Sequence, residues 1–151
     1  MMETDFKLMQ IAYGFGDKKE NNIPTDSWTK GRIHSFIVSV LRTGSRKWPP
    51  KYNVLNKAFS GVKTNEKTGR QAKHFKCNQC KNHFVVKDVE VDHIKPVIDP
   101  KRGFVSWNEY IERLFCAEEN LQVLCKPCHK IKTANEKEIS MYVLKKKKGT
   151  K

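Results

Sequence analysis

The sequence predicts an α+β protein, and three observations support this fold class. Apolar residues recur with the 3.6-residue period of a helix between residues 33 and 41. Short apolar segments of strand length lie between residues 84 and 124. Two CxxC motifs enclose those segments, Cys77 with Cys80 and Cys125 with Cys128. We therefore expect a helical N-terminal region followed by a small mixed module.

The charge of the chain restricts its partners. The 151 residues include 30 Lys or Arg and 16 Asp or Glu, a formal net charge of +14. Nucleic acid is the leading partner, because each phosphate contacted by a cation releases condensed counterions. The alternative is charge that serves solubility alone. No apolar stretch approaches the ~20 residues of a membrane span, and the acidic N-terminus is unlike a secretory signal. We expect a soluble, cytoplasmic protein with no membrane partner.

The first 70 residues are predicted to form an arm and a basic helical region. Residues 1–27 lack periodicity and are expected to be loosely ordered. From Lys30 an amphipathic helix runs to Gly44, and Pro50 starts a second helix after a Trp-Pro-Pro turn. Residues 61–70 are expected to be a polar linker that completes a region spanning 28–70. The apolar positions of the two helices are Ile33, Phe36, Ile37, Val40, Leu41, Val54, Leu55, Ala58 and Phe59.

The helical region carries charge of a single sign. No acidic residue occurs between Asp26 and Glu66, whereas a solvated surface normally mixes both signs. This stretch favours a surface that follows a phosphate backbone, and its candidate contacts are Arg32, Arg42 and Arg46. An ordinary basic helix pair packed on the core is the alternative.

The cysteines predict a structural zinc site. Two thiolates two residues apart can face one ion, and two such pairs complete a tetrahedral four-cysteine site with Zn–S bonds of about 2.3 Å. The odd total of five cysteines argues against a disulfide framework. A site with four protein ligands is full and therefore structural. Cys116 is left over, and we expect it to be a buried, inert thiol.

The C-terminal half is expected to hold a zinc-stapled module over residues 71–144. Residues 84–86 and 89–91 predict a β-hairpin around Lys87 and Asp88. Ser106 and Glu109 form a capping box that opens a helix. Residues 121–124 predict a strand, and a helix follows from Cys128. Residues 145–151 predict a mobile basic tail.

Four polar residues are expected to share one surface. Asp92 and His93 end the predicted hairpin, Asn120 precedes the next strand, and His129 directly follows the second CxxC. The zinc site would draw these positions together. Taken singly, each has a plainer explanation: a surface polar pair, a turn cap, or a spare zinc ligand.

The ordered pattern resembles the HNH endonucleases, a family with the ββα-metal fold. The matching residues are Val91-Asp-His-Ile-Lys-Pro96 and Asn120-Leu-Gln-Val-Leu-Cys-Lys-Pro-Cys-His129, within about residues 74–136. The CxxC that ends against the histidine is similar to the zinc-bearing subgroup. The resemblance implies that Asp92 and His129 bind a catalytic divalent ion and that His93 is the general base. It also implies that Asn120 holds the His93 loop in place.

One departure from the family pattern affects the metal. Family members often have a second metal-binding His four residues after the first, where this chain has Thr133. Two protein ligands favour Mg²⁺ or Mn²⁺ over Zn²⁺ or Ni²⁺ in the active site. Lys132 is a candidate phosphate contact, and Glu90 could assist the metal or face solvent. Residues 32–49 are similar to the N-terminal part of small bacteriophage HNH nucleases, which implies that the first helices hold DNA.

The sequence thus predicts a metal-dependent endonuclease that hydrolyses phosphodiester bonds of double-stranded DNA. One active site per chain predicts nicking by a monomer. A bacterial or phage-infected cytoplasm is the expected location, with a phage or host DNA-processing protein as a possible partner. The alternative is a non-catalytic zinc-ribbon protein that binds nucleic acid as an accessory.

Overall fold

The computed structural model describes residues 28–148 of the chain. The arm predicted over residues 1–27 and the end of the basic tail, residues 149–151, lie outside the described residues. The chain divides into two compact units, Met1–Leu41 and Arg42–Lys151. Residues 28–148 contain four helices and two small antiparallel sheets, which confirms the mixed α+β class. None of these helices is both long enough and apolar enough to cross a membrane.

Helix α1, Lys30–Ser45, begins in the first unit and ends in the second, and it confirms the first predicted helix. At its start, the Thr29 hydroxyl oxygen accepts a hydrogen bond from the backbone N–H of Arg32 at 3.2 Å. Thr is a favoured cap because its side chain satisfies an amide that has no partner inside the helix. The Arg32 guanidinium lies 4.2 Å from the centre of the Trp28 ring. Arg32 thus takes part in a cation–π contact within the first unit.

The second unit opens with α2, Pro49–Lys57, and a three-stranded antiparallel sheet. Its strands, in spatial order, are β1 (Phe59–Thr64), β2 (Gln71–Lys76) and β3 (His83–Val85). The prediction of a linker over residues 61–70 was therefore wrong for the part that forms β1. Phe59 of β1 packs edge-on against the buried Phe75 of β2, with ring centroids 5.9 Å apart. The core contact of β1 therefore comes from the strand that follows it in the sequence.

The predicted hairpin of residues 84–86 and 89–91 was also wrong. A 3₁₀ turn, Val86–Asp88, passes the chain from the first sheet to a second one. There β4 (Val89–His93) pairs antiparallel with β5 (Leu121–Cys125), from Val89 opposite Cys125 to His93 opposite Leu121. Four of the five β5 residues are buried, so β4 gains a more apolar neighbour there than β3 would provide.

Helix α3, Trp107–Leu114, starts at the predicted cap, where the Ser106 hydroxyl oxygen accepts the N–H of Glu109 at 3.2 Å. Tyr110 and Leu114 are buried. Two residues after α3, the backbone carbonyl of Cys116 accepts the indole N–H of Trp48 at 2.7 Å. These contacts join α3 to the segment between α1 and α2.

Helix α4, Lys126–Lys148, follows β5 without a loop. The helix predicted from Cys128 is confirmed, and it continues to Lys148, where a mobile tail was predicted. Strands β4 and β5 and the first turns of α4 form a ββα arrangement. Phe75, Val89 and Val123 form the buried core beneath it, with Val54 and Leu55 of α2 packed against them.

Candidate active site and cysteine cluster

Four cysteines form the cysteine cluster: Cys77, Cys80, Cys125 and Cys128. Their sulfur atoms all lie within 4.8 Å of one another, and Cys80 Sγ is 3.9 Å from Cys125 Sγ. Zn–S bonds of about 2.3 Å in a tetrahedron place sulfurs about 3.8 Å apart, so the cluster has the size of such a site. All five cysteines are free thiols. The cluster can hold a structural metal ion such as zinc.

The first cysteine pair lies on a tight knuckle between β2 and β3. The backbone N–H of Lys81 donates to the carbonyl of Cys77 at 3.0 Å, and Lys81 adopts a left-handed φ of 63°. The N–H of Asn78 donates to the carbonyl of Val123 at 2.7 Å, which fixes the knuckle to β5. Because Lys81 has a Cβ, its backbone carries some strain that the surrounding contacts must offset.

The sulfur of Cys77 already has the environment of a thiolate ligand. Cys77 is fully buried, and its Sγ accepts the backbone N–H of Cys125 at 3.3 Å. Burial raises the pKa of this thiol, but hydrogen bonds from the backbone of Cys125, Cys80 and Gln79 outweigh burial and lower the pKa below its ordinary value. Cys116 is half-buried and lies outside the cluster, at the end of α3.

The ββα arrangement brings together the four polar residues predicted from the sequence, which we call the ββα site: Asp92, His93, Asn120 and His129. Asp92 and His93 are the last residues of β4, and Asn120 immediately precedes β5. His129 lies in the first turn of α4, one residue after Cys128. Pairing of β4 with β5 places the first two residues beside the third, since His93 is opposite Leu121.

Asn120 holds the chain that follows His93. Its side-chain oxygen accepts the N–H of Lys95 at 2.8 Å, and its amide nitrogen donates to the Lys95 carbonyl at 3.2 Å. The N–H of Ile94 donates to the Asn120 carbonyl at 2.8 Å. Three hydrogen bonds therefore fix the two residues after His93 against the start of β5.

His93 is a buried imidazole with a defined tautomer. It is 8% exposed, and its Nε2 lies 3.0 Å from the carbonyl oxygen of Leu114. A carbonyl can only accept, so Nε2 carries the proton and Nδ1 keeps a lone pair. Burial lowers the pKa of His93, and the positive charge of Lys51 lowers it further, against the opposing effects of Leu114 and Asp92. The lowered pKa favours the neutral ring, which can accept a proton.

His129 lies between two carboxylates of β4. Its Nδ1 is 3.2 Å from Oε2 of Glu90, and its Nε2 is 3.6 Å from Oδ1 of Asp92. Glu90 and Asp92 are two residues apart on one strand and therefore share its face. The imidazole thus contacts a different carboxylate with each of its nitrogens.

The second oxygen of Asp92 is buried and receives no well-directed hydrogen bond. The ammonium of Lys132 lies 2.9 Å from it and also pairs with Glu136. Burial lowers the pKa of Lys132, but its interactions with the Glu136 and Asp92 carboxylates prevail and raise the pKa. Lys132 is thus a cation beside Asp92, where it balances the buried carboxylate.

Asp92 and His129 have the chemistry and spacing of a divalent-metal site. Mg²⁺ bonds of about 2.1 Å place neighbouring ligand atoms about 3 Å apart, a little less than the 3.6 Å between Asp92 Oδ1 and His129 Nε2. A carboxylate oxygen and an imidazole nitrogen suit Mg²⁺ or Mn²⁺ as well as Zn²⁺. Within residues 28–148, the cysteine cluster is the only group of three or more such ligands, so the ββα site would leave most metal positions open.

The four predicted phosphate contacts have different surroundings. Arg42 is exposed, and its Nε donates to the hydroxyl of Tyr110 on α3 at 3.2 Å. Arg46 is exposed one residue beyond α1. Arg32 belongs to the first unit. Lys132 contacts Asp92 of the ββα site.

Lys51 of α2 is a functional candidate that the sequence does not single out. It is half-buried, and burial lowers its pKa, as do the charges of Arg42 and Arg46, whereas Cys116 and Asp92 raise the pKa. Among residues 28–148 no hydrogen bond or ion pair engages its ammonium. Lys51 is one of many lysines in the basic stretch, and only the packing of α2 on β4 and β5 brings it near the ββα site.

Comparisons with known proteins identify no relative: no protein-family model matches the chain, and no match was found among curated proteins or solved structures. Membership of the HNH endonuclease family therefore stays a prediction from the motif residues.

Proposed function

We propose that this chain is a metal-dependent endonuclease that hydrolyses DNA phosphodiester bonds at the ββα site. The observation that carries the proposal is the position of His93 directly beside Asp92, which lies close to His129. A neutral imidazole, anchored through Nε2 to Leu114, directly follows Asp92, whose carboxylate lies 3.6 Å from His129. This arrangement supplies a proton acceptor next to a pair of metal ligands.

His93 would act as the general base. Its Nδ1 lone pair accepts a proton from a water molecule as the water oxygen bonds to phosphorus, and the bond to the 3′ oxygen breaks. Asp92 and His129 would hold a divalent ion, Mg²⁺ or Mn²⁺ rather than Zn²⁺ or Ni²⁺. When bound, such an ion supplies Lewis-acid stabilisation of charge on the phosphate and on the leaving oxygen.

Lys51 and Lys132 would neutralise phosphate charge. The ammonium of Lys51 has no ionic partner among residues 28–148, so a phosphate oxygen can take that place without breaking an existing pair. Lys132 pairs with Asp92 at 2.9 Å, and a divalent ion on Asp92 would free its ammonium for the substrate. Preorganised cations of this kind stabilise charge that develops in the transition state.

The cysteine cluster would bind zinc and position the ββα site. Cys125 ends β5 and Cys128 lies in the first turn of α4, so the metal would fix the junction that carries His129. Zinc at such a site often supplies most of the stability of a small module.

The positive charge supports DNA as the substrate. Arg42 and Arg46 are exposed in the second unit and Arg32 is exposed in the first, and each is a candidate contact to the DNA backbone. One ββα site per chain favours nicking of double-stranded DNA by a monomer. We place this activity in a bacterial or phage-infected cytoplasm, with a phage or host DNA-processing protein as a possible partner.

The decisive experiment is cleavage of supercoiled plasmid in Mg²⁺, in Mn²⁺ and in EDTA. The wild type and a His83→Ala control, in which an exposed histidine of β3 is removed, should give metal-dependent open circles. His93→Ala and His93→Gln should not, while still shifting DNA in a gel. The Gln variant retains a donor for the Leu114 carbonyl, so its loss of activity would not be due to misfolding. Cleavage by both His93 variants at the wild-type rate would overturn the proposal.

The second candidate is a non-catalytic zinc protein that binds nucleic acid. One observation favours it: Lys132 already neutralises Asp92 at 2.9 Å, as a purely structural ion pair would. Salt-sensitive DNA binding with no cleavage by wild-type protein in either metal would select this candidate.

A further inference from the structure

We propose that Glu90 is a positioning residue that sets the tautomer of His129. Its carboxylate accepts the Nδ1 proton, which leaves the Nε2 lone pair for a divalent cation held between Nε2 and Asp92. This inference rests on the proposed metal centre at the ββα site, and it assigns a role to a residue outside the predicted catalytic set.

The geometry supports this role through two distances. Nδ1 of His129 is 3.2 Å from Glu90 Oε2, and Nε2 is 3.6 Å from Asp92 Oδ1. Glu90 and Asp92 project from one face of β4, and the first turn of α4 places the imidazole against both. Glu90 therefore orients the ring through Nδ1, and the opposite nitrogen, Nε2, faces Asp92.

Hydrogen-bond chemistry assigns the proton. A carboxylate oxygen accepts hydrogen bonds, so the His129 nitrogen that lies 3.2 Å from Glu90 is the one that keeps its hydrogen. A cation bound by Asp92 would take the lone pair of the other nitrogen, Nε2, in place of a proton. Metal-binding histidines commonly donate their other N–H to a carboxylate, and loss of that partner weakens metal binding. The orientation of His129 should matter more for metal affinity here than in a site with two histidine ligands, because Thr133 supplies no second imidazole.

Glu90 is poorly placed to be a ligand of the same ion. Its carboxylate faces the nitrogen opposite the one that faces Asp92. Consistently, the ligand atoms of Glu90, Asp92 and His129 do not form a close three-ligand group, which within residues 28–148 occurs only at the cysteine cluster. Lys132 neutralises Asp92 and Glu136, and the structure shows no ion pair between it and Glu90.

The test compares Glu90→Ala and Glu90→Gln with wild type and with a control, Glu112→Ala, which removes an exposed carboxylate of α3. Affinity for Mn²⁺ is measured from the electron paramagnetic resonance signal of free Mn²⁺, using zinc-loaded protein. Glu90→Ala should weaken Mn²⁺ binding about 10- to 100-fold. Glu90→Gln should retain most of the affinity, because its amide oxygen still accepts the Nδ1 proton.

A second readout reports the tautomer in the presence of Mg²⁺ and does not depend on activity. Nitrogen-15 spectra of the histidine rings should show His129 protonated at Nδ1 in wild type and in Glu90→Gln, and a mixture of tautomers in Glu90→Ala. Unchanged Mn²⁺ affinity in Glu90→Ala would overturn the role of Glu90 and leave the proposed endonuclease intact. Equal losses of Mn²⁺ affinity in Glu90→Ala and Glu90→Gln would also overturn this role, since the negative charge of Glu90, and not its hydrogen bond to Nδ1, would then determine the affinity. Wild-type protein that neither binds Mn²⁺ nor cleaves DNA would overturn the metal centre itself.

Discussion

Asn120→Ala should weaken the fold modestly and slow cleavage disproportionately. The substitution removes two side-chain hydrogen bonds with Lys95, at 2.8 Å and 3.2 Å, and leaves the backbone bond to Ile94 in place. Both lost bonds are exposed, so each contributes toward the lower end of the range of about 0.5–1.5 kcal/mol. We expect the free energy of unfolding to fall by about 1–2 kcal/mol.

The functional effect of Asn120→Ala should exceed its effect on stability. The lost bonds fix the two residues after His93, so the imidazole should lose its alignment while the protein remains folded. A misplacement of catalytic groups by about 1 Å can lower a rate about 100-fold. DNA affinity should change little, because Asn120 carries no charge.

Two assays on zinc-loaded protein test this reasoning. Urea unfolding followed by circular dichroism gives the free energy of unfolding, and plasmid nicking gives the rate. Asn135→Ala is the matched control, since Asn135 is an exposed residue of α4 and its replacement should shift stability by less than about 0.7 kcal/mol. If Asn120→Ala matches this control in both stability and rate, Asn120 does not hold the His93 loop.

The same geometry leads to three further predictions. Cleavage should decline as the pH falls, because protonated His93 cannot accept a proton. Burial lowers the His93 pKa, so a pH–rate profile should show this decline, the acid limb, below pH 6.5. Lys51→Met should lower kcat about 100-fold by removing a preorganised cation, and it should move the acid limb to higher pH, because Lys51 lowers the His93 pKa. Cys125→Ser should abolish stoichiometric zinc binding and cooperative unfolding, as measured by metal analysis and thermal melts.

Each of these predictions has an outcome that contradicts it. An acid limb above pH 6.5 would mean that His93 is not the titrating base. An unmoved limb in Lys51→Met, with activity as in a Lys47→Met control, would remove Lys51 from the site. A native-like melt of Cys125→Ser would show that the cysteine cluster does not staple the fold.

The features predicted correctly from the sequence have local signals. The periodicity from Ile33 to Leu41 and the Ser106 capping box each lie within one helix, and both helices form as predicted. The two CxxC motifs are also local, and a metal site restricts how they can meet. Proximity of the four sulfurs could therefore be predicted although 44 residues separate the pairs.

The features that were missed depend on distant partners. Residues 89–93 look alike whether they pair with β3 or with β5, because strand periodicity reports which face is buried and not which strand is adjacent. Strand β1 has a mostly exposed burial pattern, so its sequence resembled a linker. Lys51 lies near the ββα site only because α2 packs on the second sheet, and no local sequence pattern predicts that packing.

The long connection between β4 and β5 has a consequence for synthesis of the protein. Asp92 and His93 leave the ribosome before Asn120 and His129, and the strands that align them pair residues as far apart as Val89 and Cys125. A nascent chain that ends before α4 holds three of the four cluster cysteines and three of the four ββα-site residues, and it lacks Cys128 and His129. Under the proposed function, a chain cannot cleave DNA before the ribosome has made Cys128 and His129, so truncated products that end earlier would be inactive.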